Sequence, residues 1–77
     1  MERDTEKAYI TYDREEVTRE RLTETIISEI EEYTGEKPTV LNEQAGEDEI
    51  VLLIPDGTLA EIVEIRGVIK ARSESVI

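Results

Sequence analysis

The stretch IVEIRGVIKARSESVI, residues 62–77, decides the fold because its first part fits a helix and its second part fits a strand. Just before it, Thr58 and Glu61 have the spacing of a helical capping box. The next apolar side chains share one helical face, at spacings of three and four residues: Leu59, Ile62 and Val63. The start of this stretch is therefore predicted to be a short helix.

The helical period ends after Ile65, because Arg66 would fall within the apolar arc of a longer helix. Gly67 follows, and glycine suits the left-handed backbone of a helix C-cap. Beyond the glycine, apolar and charged side chains alternate as in a half-buried strand. Ile69 and Ala71 are predicted to face inward, and Lys70 and Arg72 to face outward. We predict a helix over residues 58–66 and a strand over residues 68–75.

A second interpretation treats Asp56 and Gly57 as a hairpin turn into one long strand over residues 59–72. Its support is the β-branched content of the stretch: Ile62, Val63 and Ile65. The capping box and Gly67 favour the helix followed by a strand.

The residues before this stretch predict a strand and a long helix. Residues 7–12 are aromatic and β-branched, as in a strand. Asp13 and Glu16 resemble a helix start, so we predict a helix over residues 14–34 that ends at Gly35. Its apolar stripe is Leu22, Ile26, Ile30 and Tyr33, widened by Ile27.

The middle of the chain predicts two further strands. Residues 39–41 are extended, residues 45–48 form a turn, and residues 49–54 are a continuous apolar strand of the kind covered on both faces. Residues 1–6 are expected to be disordered. The 77 residues make one small domain.

The element order is β-α-β-β-α-β, which predicts an α+β fold with a four-stranded antiparallel sheet and two helices on one face. The chain thus resembles the ferredoxin-like α/β-plait superfamily. LAEIVEIRGVIKA is similar to a helix-Gly-Val-strand passage of ACT domains, and TYDREEVTRERLTETI to a strand-to-helix passage of heavy-metal-associated domains. The first resemblance implies a ligand-sensing regulatory domain. The metal-binding Cys-x-x-Cys of the second is absent, so copper or zinc transfer is not expected.

Composition excludes most chemistry. The chain has no cysteine and no histidine, so disulfides, thiolate or imidazole ligands and Ser-His or Cys-His catalysis are excluded. The four glycines are too far apart for a phosphate-binding loop. Four acidic residues lie near the predicted turn, but they lack the spacing of a calcium loop: Glu43, Glu47, Asp48 and Glu49. We expect no enzyme activity, cofactor or metal.

Charge restricts the partners. Twenty acidic and nine basic residues give a formal net charge of −11, which disfavours nucleic acid and anionic membranes. The charged start does not resemble a secretory signal, and no apolar run is long enough to span a bilayer, so a cytoplasmic location is expected. Sixteen glutamates with one asparagine and one glutamine are typical of a heat-adapted source.

The candidate functional surface is the sheet face away from the helices, called the open face below. The alternation predicts that Lys7, Tyr9, Lys70 and Arg72 point to this face, together with Thr11. The first and last strands are neighbours in this fold, so the cations gather beside apolar side chains of the central strand. We expect a non-enzymatic interaction module that self-associates through the open face. The alternatives are a regulatory domain that senses a small ligand or ion, or an acidic mimic of nucleic acid.

Overall fold

The computed structural model describes residues 5–75, of which Ser75 is described by its backbone alone. The elements are β1 (Thr5–Tyr12), α1 (Arg19–Thr34), β2 (Thr39–Val40), a 3₁₀ turn (Asn42–Gln44), β3 (Glu49–Pro55), α2 (Leu59–Val63) and β4 (Val68–Ser75). The strands form one antiparallel sheet in the order β2-β3-β1-β4. This is the ferredoxin-like α+β arrangement that the sequence predicts, and that prediction is confirmed.

The core lies between one face of the sheet and the two helices. Strand residues that alternate along β1 and β3 supply its sheet half: Ala8, Ile10, Tyr12, Ile50, Leu52 and Ile54. The helices supply the other half through Leu22, Ile26, Ile30 and Ile62. The predicted helix stripe is confirmed at its first three positions, but Tyr33 is 63% exposed because it lies in the last turn of α1, beyond the sheet.

The junction near the C-terminus is a helix, a glycine and a strand, so the long-strand interpretation is wrong. The helix is shorter than predicted, ending at Val63 rather than Arg66. The capping box is also wrong: the hydroxyl of Thr58 is buried and donates to the Pro55 carbonyl at 2.7 Å, and so does not cap α2. Gly67 has a φ of +100°, as a left-handed junction requires.

Helix α1 begins at Arg19, five residues later than predicted. Asp13 accepts from the backbone N–H of Glu15 at 2.9 Å and so closes a turn instead of capping a helix. The cap is Thr18, whose hydroxyl accepts from the Arg21 N–H at 3.2 Å. The start of this turn is held to the connection between α2 and β4, because the Asp13 N–H donates to the Gly67 carbonyl at 2.9 Å.

Two sheet predictions also need correction. Thr5 and Glu6 belong to β1, so residues 5 and 6 are ordered, and the rest of that prediction concerns residues 1–4, outside the described residues. Ile69 was predicted to face inward but is 63% exposed. The β1–β4 register shifts there, since Thr11 pairs with Lys70 and Tyr12 with Val68. Ile69 is thus the extra residue of a bulge, which breaks the alternation.

Within residues 5–75, neither helix has the length and apolar character needed to cross a bilayer.

Replacing Ile26 by alanine tests the core assignment. Ile26 has no exposed surface, so the change leaves a cavity and should lower the free energy of unfolding by about 2–5 kcal/mol. Glu31→Ala is the matched control, because Glu31 lies on the same helix and is exposed. Urea unfolding measures both. A loss below about 0.5 kcal/mol for Ile26→Ala contradicts the assignment.

Replacing Gly67 by alanine tests the contact between the two connections. A Cβ at Gly67 would lie 2.7 Å from Cγ1 of Val17, and its φ is unfavourable for any other residue. Gly35→Ala shares the positive φ but meets nothing within 4 Å, so it should cost only the backbone strain, about 1–2 kcal/mol. Gly67→Ala should cost about 1–3 kcal/mol more, because of overpacking.

Thermal and urea unfolding of both glycine variants measure this difference. Adding Val17→Ala to Gly67→Ala removes the crowded methyl group and should abolish most of the extra cost in a double-mutant cycle. Equal losses for Gly35→Ala and Gly67→Ala would contradict the close contact.

Candidate interaction surface

The register of the sheet shows which side chains share the open face. Residues paired across antiparallel strands point to the same side. One cross-strand row runs from Lys70 through Thr11 to Glu49, the next from Arg72 through Tyr9 to Val51, and the third from Glu74 through Lys7 to Leu53 and Thr39. The prediction that Lys7, Tyr9, Thr11, Lys70 and Arg72 share this face is confirmed.

Tyr9 orders two of the cations. The guanidinium carbon of Arg72 lies 4.1 Å from the centre of the Tyr9 ring, and Nζ of Lys7 lies 5.4 Å from it. Both distances are within the range of cation–π attraction. Stacking on the ring holds the Arg72 guanidinium in one orientation, which lowers the entropy that it loses when it binds a carboxylate.

The apolar part of the open face is smaller than predicted. The sequence suggests that the outer side chains of β3 are too apolar to remain in contact with water, but Val51 has no exposed surface and Leu53 is half-buried. Val51 points away from both helices, on the side of the sheet that carries Tyr9. The backbone beside it is held by the Leu41 N–H, which donates to the Val51 carbonyl at 2.7 Å. Charge therefore dominates what this face offers to a partner.

The cations of the open face have no carboxylate partners among residues 5–75. No carboxylate among residues 5–75 lies within salt-bridge distance of Lys7, Lys70 or Arg72. They are three of the eight basic residues in that range. The same face carries Glu49 and Glu74, which the sequence argument omitted because their position depends on the strand register. The Oε1 atom of Glu49 accepts from the Gly46 N–H at 3.2 Å.

The predicted acidic turn is tied to the start of α1. Arg14 forms salt bridges with Glu47 at 3.4 Å and Asp48 at 3.3 Å, and Arg19 donates to the carbonyls of Gly46 and Glu47, each at 2.8 Å. A shallow depression of about 510 Å³ lies beside these arginines. Both arginines are already bonded within the protein, Arg14 to carboxylates and Arg19 to backbone carbonyls. Across residues 5–75, no three acidic side chains converge as metal ligands.

The carboxyl group of Glu6 has a shifted pKa. Glu6 lies near the start of β1, on the helix side of the sheet, where it pairs with Ile54. Burial raises the pKa of the Glu6 carboxyl, and the hydrogen bond and negative charge of Asp56 raise it further. A hydrogen bond with Ser73 acts in the opposite direction. Glu6 therefore holds its proton more tightly in the folded chain than in the unfolded chain.

The Glu6 shift predicts a pH dependence. The tighter protonation stabilises the fold at low pH, and this contribution is lost as the pH rises from about 4.5, the ordinary value, through the raised pKa. Glu6→Gln does not titrate, so the variant should gain stability relative to the wild type as the pH rises through that window. Urea unfolding at a series of pH values measures the difference. Glu24→Gln, on the exposed side of α1, is the matched control for the loss of one glutamate charge.

No protein family model, curated protein or solved structure matches the chain. The fold and the surface therefore define only an architectural class. It is a ferredoxin-like α+β protein with a partly cationic sheet face that neither helix covers. The resemblances to ACT and heavy-metal-associated domains remain predictions.

Proposed function

We propose that the chain is a non-enzymatic interaction module that associates with copies of itself through its open face. The observation that carries the proposal is the collection of Lys7, Lys70 and Arg72, without carboxylate partners among residues 5–75, on one face of a chain with a net charge of −11. Unpaired cations concentrated on one face attract carboxylates more strongly than cations dispersed among glutamates. Tyr9 strengthens the site because it orients Arg72 before binding.

A second copy is a suitable partner because its surface is rich in carboxylates. Each chain has twenty acidic residues, so it supplies the counter-charges that the open face of another copy lacks. The long-range repulsion between two such chains is screened over a Debye length of about 8 Å at physiological salt, whereas salt bridges in contact are screened less. The small exposed apolar area makes this a concentration-dependent contact rather than an obligate dimer.

Charge reversal on β4 tests the proposal. Lys70→Glu combined with Arg72→Glu places carboxylates where the open face needs cations, and should weaken association by about tenfold or more. The effect should be larger at low salt than at high salt, because screening reduces both attraction and repulsion. Sedimentation velocity across micromolar to millimolar concentrations measures it for the variant and the wild type.

The matched control is Arg21→Glu combined with Lys37→Glu. Both residues are exposed and lie on α1 and in the α1–β2 connection, and the pair changes the net charge by the same amount. Circular dichroism and melting temperature confirm that each variant is folded. A wild type that is monomeric throughout, or equal weakening by the two pairs, overturns the proposal.

A further inference from the structure

The helix side of the molecule has a groove whose charge is opposite to that of the open face. It lies between α1 and α2 and encloses about 420 Å³. The residues that line this acidic groove are Thr25, Glu29, Glu61, Glu64, Ile65 and Arg66. Three of the six are carboxylates.

The carboxylates of the acidic groove are available to an external cation. Glu29, Glu61 and Glu64 have no salt bridge or side-chain hydrogen bond with any other residue in the range 5–75. Arg66, the one cation that lines the groove, donates to Glu16 at 2.9 Å and is thereby neutralised. The groove therefore presents three unpaired negative charges.

The acidic groove and the open face lie on opposite sides of the molecule. Both helices pack on the side of the sheet that carries Ile10 and Leu52, and the cations project from the other side. Each copy thus has two complementary surfaces that cannot meet within the same copy. They can meet between copies.

We propose that the open face of one copy binds the acidic groove of the next, with Lys70 and Arg72 directed at Glu29 and Glu64. This inference rests on the proposed function and names the surface that its open face contacts. Charge decides against the alternative, in which two open faces pack on each other. That arrangement sets the three cations of each face against each other, with Glu74 as the carboxylate left to offset them, because Glu49 already accepts from Gly46.

The contact is heterologous, because different surfaces of the two copies meet. Every added copy leaves one open face and one acidic groove free at the ends of the assembly. Such a contact closes into a ring or continues as a stack, and does not stop at a two-fold dimer. The wild type should therefore form species larger than dimers as its concentration rises.

Two variants isolate the two surfaces. Lys70→Glu with Arg72→Glu inactivates the open face and leaves the groove intact. Glu29→Lys with Glu64→Lys inactivates the groove and leaves the open face intact. Both side chains are exposed, so neither change disturbs the core. Glu64 follows the last turn of α2, where a lysine is compatible with the helix dipole. Glu31→Lys with Glu32→Lys, exposed on α1 outside the groove, is the matched control for the second variant.

Each inactivating pair should leave the chain monomeric by sedimentation at concentrations where the wild type associates. An equimolar mixture of the two variants should associate again, because one supplies an intact open face and the other an intact groove. Growth should continue beyond the 1:1 complex, since the reversed open face of the first variant and the reversed groove of the second carry opposite charges. The control pair should associate as the wild type does.

A chain with all four substitutions separates charge pairing from net charge. Its net charge stays at −11, because two carboxylates become cations and two cations become carboxylates. The sign of both surfaces is exchanged, so they are complementary again and association should return to within about tenfold of the wild type. An association of open face with open face predicts that this chain remains monomeric.

Two results overturn the inference and distinguish it from the proposed function. If the groove variant associates like the wild type while the open-face variant does not, the open face is the contact but its partner is not the groove. If the variant mixture and the fourfold variant both remain monomeric, the pairing of these surfaces is wrong. A monomeric wild type overturns the proposed function as well.

Discussion

The pairing of β1 with β3 determines both sides of this molecule. Their seven cross-strand pairs place Ile10 beside Ile50 and Ala8 beside Leu52 on the helix side, and Tyr9 beside Val51 on the open face. A shift of one residue would exchange the two sets and expose the core. The same register buries the isoleucines and turns Lys7 and Tyr9 to the open face, where the β1–β4 register places Arg72 beside Tyr9. Stability and the candidate surface both depend on how β1 is aligned with its two neighbours.

Because the chain is small, few other elements support the strand alignment. Two helices cover only one face of the sheet, and α2 has just five residues. Short helices gain little from their own backbone hydrogen bonds. Helix α2 therefore depends on the burial of Ile62 and on contacts between its flanking connections and other parts of the chain. The approach of Gly67 to Val17 supplies one such connection, because it joins the chain before α1 to the chain before β4. Any side chain at Gly67 separates them.

The sequence predicted the features that depend on apolar spacing repeated over many residues. It missed the features that depend on a single side chain. The element order, the Gly67 junction and the buried face of α1 follow from apolar spacing. The caps did not follow, since Asp13 and Thr58 bond to other backbone groups that the sequence does not reveal. The bulge at Ile69 breaks the strand period by a single residue. The complete burial of Val51 on the side away from the helices is not visible in the strand period either, because it depends on side-chain packing.

The open face illustrates why net charge is a poor guide to what an acidic protein binds. Electrostatic attraction at contact depends on the charges that are unpaired and desolvated, and the distant charges are screened within about one Debye length. Arg14 and Arg66 contribute to the net charge but are paired within the chain, whereas Arg72 is stacked on Tyr9 with its hydrogen-bonding edge unpaired among residues 5–75. The proposed contact would give the acidic helix side two roles. It would repel anionic partners at long range, and at contact its carboxylates would match the cations of the opposite face.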